Sequence, residues 1–490
     1  MQGGEAEVRR GWVLVGMTAV LSMVLMNETT VSVALPSITK DLGLGINGAG
    51  WVINVYILVF ASLVAVGGRL GDLYGRHNVL LVGTLIFAIG AMACGFSSSA
   101  GQIFAARAVQ GCGAALMVPA SAAIVTSVFP MGERGRAMAI YAGLAQVFLA
   151  AGPLIGGVLV ESLGWGWTFF LNLPITVFCW LAVRIGRLPS GVPAAAQLDR
   201  LGALLLPVGL FGFVFALQQG AVWGWLALPT LLAGIGGLIL LAVFVQVERG
   251  REDPLVEMDL LRIRPFRLDA LLLFCIQGTI AAITVYGALF LQHVLGLSPL
   301  NAGVAMLSVA LPVLVATQFA GALFDRFGVR PGASIGLMLA SGGGFWIALT
   351  LSELSLPLFA TGLAVLGTGL GLSLAPVNTD ALSRLPGVAR GQGSGVLQTL
   401  RQAGGAFGVA LMTSIVTVSL SDHANASDAQ QAHAFSRAFL FAALLAAFGA
   451  LVAWRLPRGR QVREPTTIEE AIRFGQHQAD GGAAQEGEDA

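Results

Sequence analysis

The sequence predicts an all-α polytopic membrane protein built as two six-helix halves with two additional transmembrane helices. Three observations carry that prediction. Fourteen apolar runs fill residues 12–455 of the 490-residue chain. Arginines gather in alternate connections between those runs, and a short glycine, aspartate and arginine pattern in the first half returns at the matching place in the second. Hydrophobic residues make up 56% of the chain and charged residues 11%, against about 45–50% and about 25% in a soluble domain. A large soluble enzyme is thereby excluded.

A helix needs about 20 mostly apolar residues to cross about 30 Å of hydrocarbon. The first run, 12–34, passes directly into TTVSVALP without a short polar exit, so it reads as a retained helix rather than a cleaved signal. Runs at 50–68, 78–98, 102–124, 137–159 and 165–185 complete a first six-helix bundle, residues 1–185. The pair at 201–219 and 226–247 forms a two-helix insert within 186–252. Residues 253–264 read as an interfacial connector, with apolar side chains at the membrane and Arg262, Arg264 and, just beyond, Arg267 at the basic surface. Runs at 267–290, 302–323, 332–351, 356–377, 395–418 and 436–455 make the second bundle, residues 265–455. Residues 421–435 form a small polar loop, and 456–490 turn charged and rich in Gly and Ala, which predicts a flexible cytoplasmic tail. The 65 glycines fit close helix packing in a bilayer better than disorder.

Charge sets the orientation. Arg9, Arg10, Arg69, Arg76, Arg134, Arg136, Arg184, Arg187, Arg200, Arg326, Arg330, Arg384, Arg390, Arg455 and Arg458 fall on the side of the N-terminus, while Lys40 and Arg437 flank spans on the other. The positive-inside rule then expects an integral protein of the cytoplasmic membrane, with both termini in the cytoplasm. The formal net charge of +1 hides this polarity, and the arginines mark topology rather than a nucleic-acid surface.

Cys94, Cys112, Cys179 and Cys275 sit inside predicted spans without paired ligand spacing, and the five histidines are scattered. Neither a metal cluster nor a nucleophile triad emerges, so no catalytic residue, metal or cofactor is expected. GSGVLQ lacks the strand context and the Lys and Ser/Thr pattern of a phosphate loop, which argues against ATP-driven transport by this chain.

The internal repeat pairs GRLGDLYGRH at 68–77 with GALFDRFGVR at 321–330, aligning Gly68 with Gly321, Leu70 with Leu323, Asp72 with Asp325 and Gly75 with Gly328. Either copy alone could be an ordinary solvated turn. Two copies, each after the second helix of its half, indicate a duplicated carrier whose halves exchange packings about a central site.

On these residues the chain resembles the major facilitator superfamily, and within it the fourteen-helix drug:proton antiporters, over residues 12–455. The resemblance implies that Asp72 and Arg76 latch the cytoplasmic halves. Arg69 is also close enough in sequence to pair with Asp72, and the second copy carries Ala322 and Val329 where the first has Arg69 and Arg76. RAVQGCGAA at 107–115 resembles the fourth-helix motif, implicating Arg107 in proton coupling and placing Gln110 near the passage; a structural arginine beside an aqueous vestibule is the alternative. GLAQVFLAAGPLIGGVL at 143–159 resembles the fifth-helix antiporter motif, in which Gly152, Pro153, Gly156 and Gly157 allow close packing and a bend. GWGWTFFLNLPI at 164–175 resembles the sixth-helix junction, with Asn172 a cavity candidate and Trp165 and Trp167 interfacial anchors. The insert corresponds to an additional peripheral pair.

Glu28 is the sharpest site. An acidic residue inside an apolar span is costly unless it reaches water or is neutralised, and its protonation could change the preferred carrier state. The alternative is a solvated carboxylate near the headgroups. The family's acidic position falls on Asn27 here, so either Glu28 takes the role after a turn of about 100° on the helix or coupling lies elsewhere. Asn54, Tyr56, Gln146 and Gln292 either hydrogen-bond substrate or satisfy neighbouring helices, and His293 reads as a surface group. Asp269 and Arg401 read as charges at helix ends.

Together these readings predict a proton-coupled antiporter that uses the proton gradient to export lipophilic, often cationic drugs by alternating access. Its partners would be lipophilic small molecules, protons and membrane lipids, with the oligomeric state left open. The alternative is a dedicated exporter of an endogenous metabolite or lipid; a nontransporting receptor or scaffold fits less well.

Overall fold

In the computed structural model, the described residues are 8–187, 199–251, 254–386, 390–420, 427–457, 467–470 and 472–473. The expected tail, 456–490, and the polar loop at 421–426 lie mostly or wholly outside them. Fourteen helical segments among the described residues are long and apolar enough to cross a membrane. The first half comprises α1 (Arg10–Asp41), α2 (Ile46–Tyr74), α3 (Arg76–Gly95), α4 (Ala100–Val128) and α5 (Met131–Leu163), with a sixth span divided into α6 (Gly166–Phe170) and α7 (Asn172–Gly186). The insert is α8 (Gly202–Trp223) and α9 (Leu228–Glu248). A short 3-10 turn at Met258–Arg262 leads into the second half: α10 (Arg264–His293), α11 (Pro299–Phe327), α12 (Val329–Thr350), α13 (Leu356–Ser383), α14 (Arg390–Leu420) and α15 (Asp428–Ala453).

Local chemistry sets several helix starts. Ser99, Ser298 and Ser427 each accept a hydrogen bond from the backbone N–H three residues on, satisfying a donor that the first helical turn leaves free. Gln430 returns a bond to the Ser427 N–H, completing a capping box. The first helix runs well past the predicted end at residue 34, through Pro36 to Asp41. Thr29, Thr30 and Ser32 turn their hydroxyls back onto carbonyls three or four residues earlier, so TTVSVALP hides its polar atoms inside the helix instead of ending it. Glu28 therefore sits mid-helix.

Contacts between chain-distant helix ends gather arginines at one end of each half. Arg10 pairs with Glu133 at 3.7 Å, the Arg9 N–H bonds Gly186 O, and the Arg330 guanidinium lies 4.8 Å from the Trp454 ring centroid. At the far end Trp165 Nε1 donates to Asp41 Oδ2 at 2.8 Å, so this ring is fixed by a hydrogen bond while Trp167 stays exposed. The outward residues are themselves apolar, Leu232, Ile235, Ile239 and Leu451 among them, as hydrocarbon surroundings require. This is an integral membrane protein.

The internal repeat is visible in the backbone. Gly75 (φ 87°) separates α2 from α3, and Gly328 (φ 76°) separates α11 from α12, each in the left-handed region that glycine alone enters freely. Gly68 faces Pro119 and Gly321 faces open space.

Candidate functional site

A cavity lies between the halves, enclosing about 750 Å³ of empty space including its open mouth. The first half lines it from α1 and α5, with Leu25, Glu28, Gln146 and Pro153; the second from α10, α11, α13 and α14, with Gln277, Thr284, Met306, Leu370 and Arg401. Its wall is mostly aliphatic, interrupted by a few polar groups, which is the composition that holds an apolar body and orients it by a small number of directed bonds.

Glu28 is the carboxylate of this wall. Its Oε1 accepts from Gln402 Nε2 at 3.4 Å, and Arg401 acts on it electrostatically. Arg401 Nε in turn donates to Gln277 Oε1 at 2.9 Å, which fixes the guanidinium against α10. One acidic group from the first half thus meets an amide from the second, with a second-half cation on the same cavity wall. Arg401 was expected at a helix end; α14 begins at Arg390, earlier than its apolar run, so Arg401 falls about three turns inside.

Arg107 occupies a different place. It is 1% exposed, with Nε donating to Val52 O at 2.9 Å, Nη1 to Gln110 Oε1 at 2.6 Å, and its carbon 4.2 Å from the Tyr56 ring centroid. Gln110 Nε2 passes the chain on to Asn27 Oδ1 at 3.2 Å. The guanidinium is therefore satisfied by a carbonyl, an amide and an aromatic face inside the first half. Asn27, at the position where the resembling family has its acid, is the terminus of this buried network.

Of the expected substrate contacts, Glu28 and Gln146 line the cavity. Tyr56, Gln110, Asn54 and Asn172 are buried within helix packing and are not among its lining residues. Asn54 Nδ2 donates to Gln218 Oε1 of α8, and Asn172 Nδ2 to Phe169 O. Gln292 lies toward the far end, where its Nε2 donates to Val33 O across the halves at 2.8 Å. A sequence shows that such residues are polar, but not which face of the helix carries them.

The gating candidates separate into two groups. At the basic end Asp72 pairs with Arg76 at 3.1 Å, and Arg76 also donates to Ala123 O. Asp325, its counterpart in the repeat, is exposed. Toward the far end Gly152 and Gly156 face Thr29 and Thr30 of α1, while Gly157 meets Pro299 and Leu300 of α11 and Gly303 meets the Pro153 carbonyl. A side chain at Gly157 or Gly303 would strike backbone of the other half, so α5 and α11 close on one another through glycine. The Leu300 N–H bonds Glu161 Oε2 at the same end.

A second buried group was missed. Asp269 was expected as an end charge, yet it is fully buried beside Asp380 of α13 and Arg384 just past the end of that helix; Arg384 Nε lies 2.5 Å from Asp380 Oδ2 and 3.9 Å from Asp269 Oδ2. The connector explains the burial, since Leu260, Ile263 and Phe266 are all buried at the start of α10.

Two six-helix bundles and a two-helix insert, with a cavity lined by both bundles, define a membrane transporter and not an enzyme. The chain belongs to the major facilitator superfamily: the family model of that description matches residues 17–409 and 270–476. It is 32% identical over 463 residues to the puromycin resistance protein pur8 of Streptomyces alboniger, covering 91% of each chain. It is 28% identical over 415 residues to the tetracenomycin C resistance and export protein of Streptomyces glaucescens, covering 84% of this chain and 77% of that one. A solved bacterial homolog to the human lysosomal transporter Spinster, inward-facing and unoccupied, matches with a TM-score of 0.65 over 96% of this chain and 98% of its own. At 15% identity that likeness shows the fold alone.

Proposed function

We propose that the protein is a proton-coupled antiporter that exports lipophilic, often cationic drugs by alternating access, with both termini in the cytoplasm. The observation that carries this reading is Glu28, a carboxylate in an aliphatic cavity, held by Gln402 of the opposite half and facing Arg401. Deprotonated, it attracts a cationic substrate and the second-half guanidinium alike; protonated, it loses both attractions. A proton and a substrate that prefer different states of one carboxylate are coupled through it.

The basic end is the cytoplasmic end by the arginine distribution. Contacts at the other end, Gln292 to Val33 and Glu161 to Leu300, support a state closed to the exterior. The relatives' resistance and export names support drugs as cargo. Gradient-driven flux of a lipophilic cationic dye in proteoliposomes tests the reading, and its absence across a panel of dyes and drugs would reject it.

A dedicated exporter of one metabolite or lipid is the second reading, favoured by relatives named for single compounds. Competition separates the two: several unrelated lipophilic cations compete for a broad exporter, and one chemical class for a dedicated one.

A further inference from the structure

The insert lies against both halves through one of its helices. Helix α8 packs on α2 of the first half and α14 of the second, as well as on its own partner α9. Its far-end turn carries two adjacent glutamines in an otherwise apolar span. The buried Gln218 accepts from Asn54 Nδ2 at 2.5 Å and donates through Nε2 to Asn47 O at 3.2 Å. Gln219 Oε1 accepts from Asn47 Nδ2 at 2.7 Å and from Trp51 Nε1 at 3.4 Å, and the Trp51 ring lies 5.5 Å from that of Phe215. On the other side Ser414 Oγ of α14 donates to Leu217 O. Gly50 is the point where the three helices meet, because a Cβ there would strike Thr413 and Gln218.

We propose that α8 is a moving part of the far-end gate, its Gln218 and Gln219 amides latching α2 to the second half and releasing it as that end opens. This rests on the alternating-access reading. If α2 and α14 part at the far end, α8 cannot keep both sets of contacts. The set to α2 is the one built from exchangeable side-chain bonds. The Glu248 carboxylate accepts from the Val256 N–H and so holds the insert to the connector that leads into the second half, and α8 packs more extensively on α14 than on α2. A buried amide in a membrane helix is costly without partners, so Gln218 in particular favours the closed state while its partners face it.

The test uses the full chain with Cys94, Cys112, Cys179 and Cys275 replaced by alanine, in proteoliposomes. Asn47→Cys with Gln219→Cys places a bridgeable pair across α2 and α8; Leu217→Cys with Ser414→Cys does so across α8 and α14. Treatment with a short bis-methanethiosulfonate linker is expected to cut dye flux about tenfold or more in the first pair, reversibly with reductant, and to leave the second within about twofold. Full flux with α2 and α8 linked, or flux lost with α8 and α14 linked, overturns the latch. Absence of flux by the unsubstituted chain across a panel of dyes and drugs overturns the carrier reading itself, and the latch with it.

Discussion

Glu28 of α1 and Gln402 of α14 join the two halves at the cavity, the Gln402 amide donating to the Glu28 carboxylate at 3.4 Å. With Arg401 beside it, this contact makes the charge of one side chain a property of both halves at once. A charge-assisted contact of this kind can break and reform between packings.

Arg401→Gln is expected to reduce gradient-driven flux about tenfold or more, as loss of a state-dependent charge contact does. It removes the cation facing Glu28 while leaving a polar side chain. Arg401→Lys keeps the charge and should retain more flux, although it loses the bond to Gln277. Equal flux in both variants would show that the charge is idle.

Asn27→Asp is expected not to rescue Glu28→Gln. Asn27 is fully buried, bonded to Gln110 and absent from the cavity wall, so an acid there meets the Arg107 network rather than substrate. Recovery of gradient-driven flux in the double variant would place coupling on the Asn27 face instead.

Arg107→Lys should destabilise the protein by about 2 kcal/mol, because an ammonium cannot keep the forked contacts to Val52 O and Gln110 inside a closed pocket. Thermal unfolding in detergent reads this directly. An unchanged melting temperature would mean that the buried contacts contribute little.

Much of this was legible in the chain. Fourteen spans follow from hydrocarbon thickness, and the repeat predicted two equivalent turns, which Gly75 and Gly328 each make at positive φ. Glu28 stood out because a carboxylate in an apolar run demands an explanation. Arg401 did not, since α14 starts before its apolar run and an arginine near the expected start reads as an end charge. Asn54, Tyr56, Gln110 and Asn172 are polar inside spans, but periodicity in a helix that is apolar all round gives no face, so cavity and core could not be separated. The signal for α8 was present: Gln218 and Gln219 are adjacent amides in a span that hydrocarbon alone would not tolerate.

Asp72→Asn tests the basic-end latch. The Asp72 and Arg76 side chains are 43% and 42% exposed, so the ion pair contributes at most about 1 kcal/mol to stability. Transport should nevertheless fall several-fold while the melting temperature barely moves. A parallel loss of both would assign the pair to folding alone.

Gly303→Val would set a branched side chain against the Pro153 carbonyl, where α5 and α11 close. Overpacking of this kind costs about 1–3 kcal/mol. The strain falls on the closed far end, so externally applied thiol reagents should reach a cysteine placed at Gln292 faster than in the unsubstituted background. Unchanged labelling would mean that this contact does not close the far end.

The central claim is that Glu28 couples protons to substrate movement. Its most direct test is flux of a lipophilic cationic dye into or out of sealed proteoliposomes under an imposed proton gradient, comparing the unsubstituted protein with Glu28→Gln at equal insertion and orientation. Gradient-driven flux that disappears in Glu28→Gln is the predicted result; gradient-driven flux that survives the substitution would contradict it.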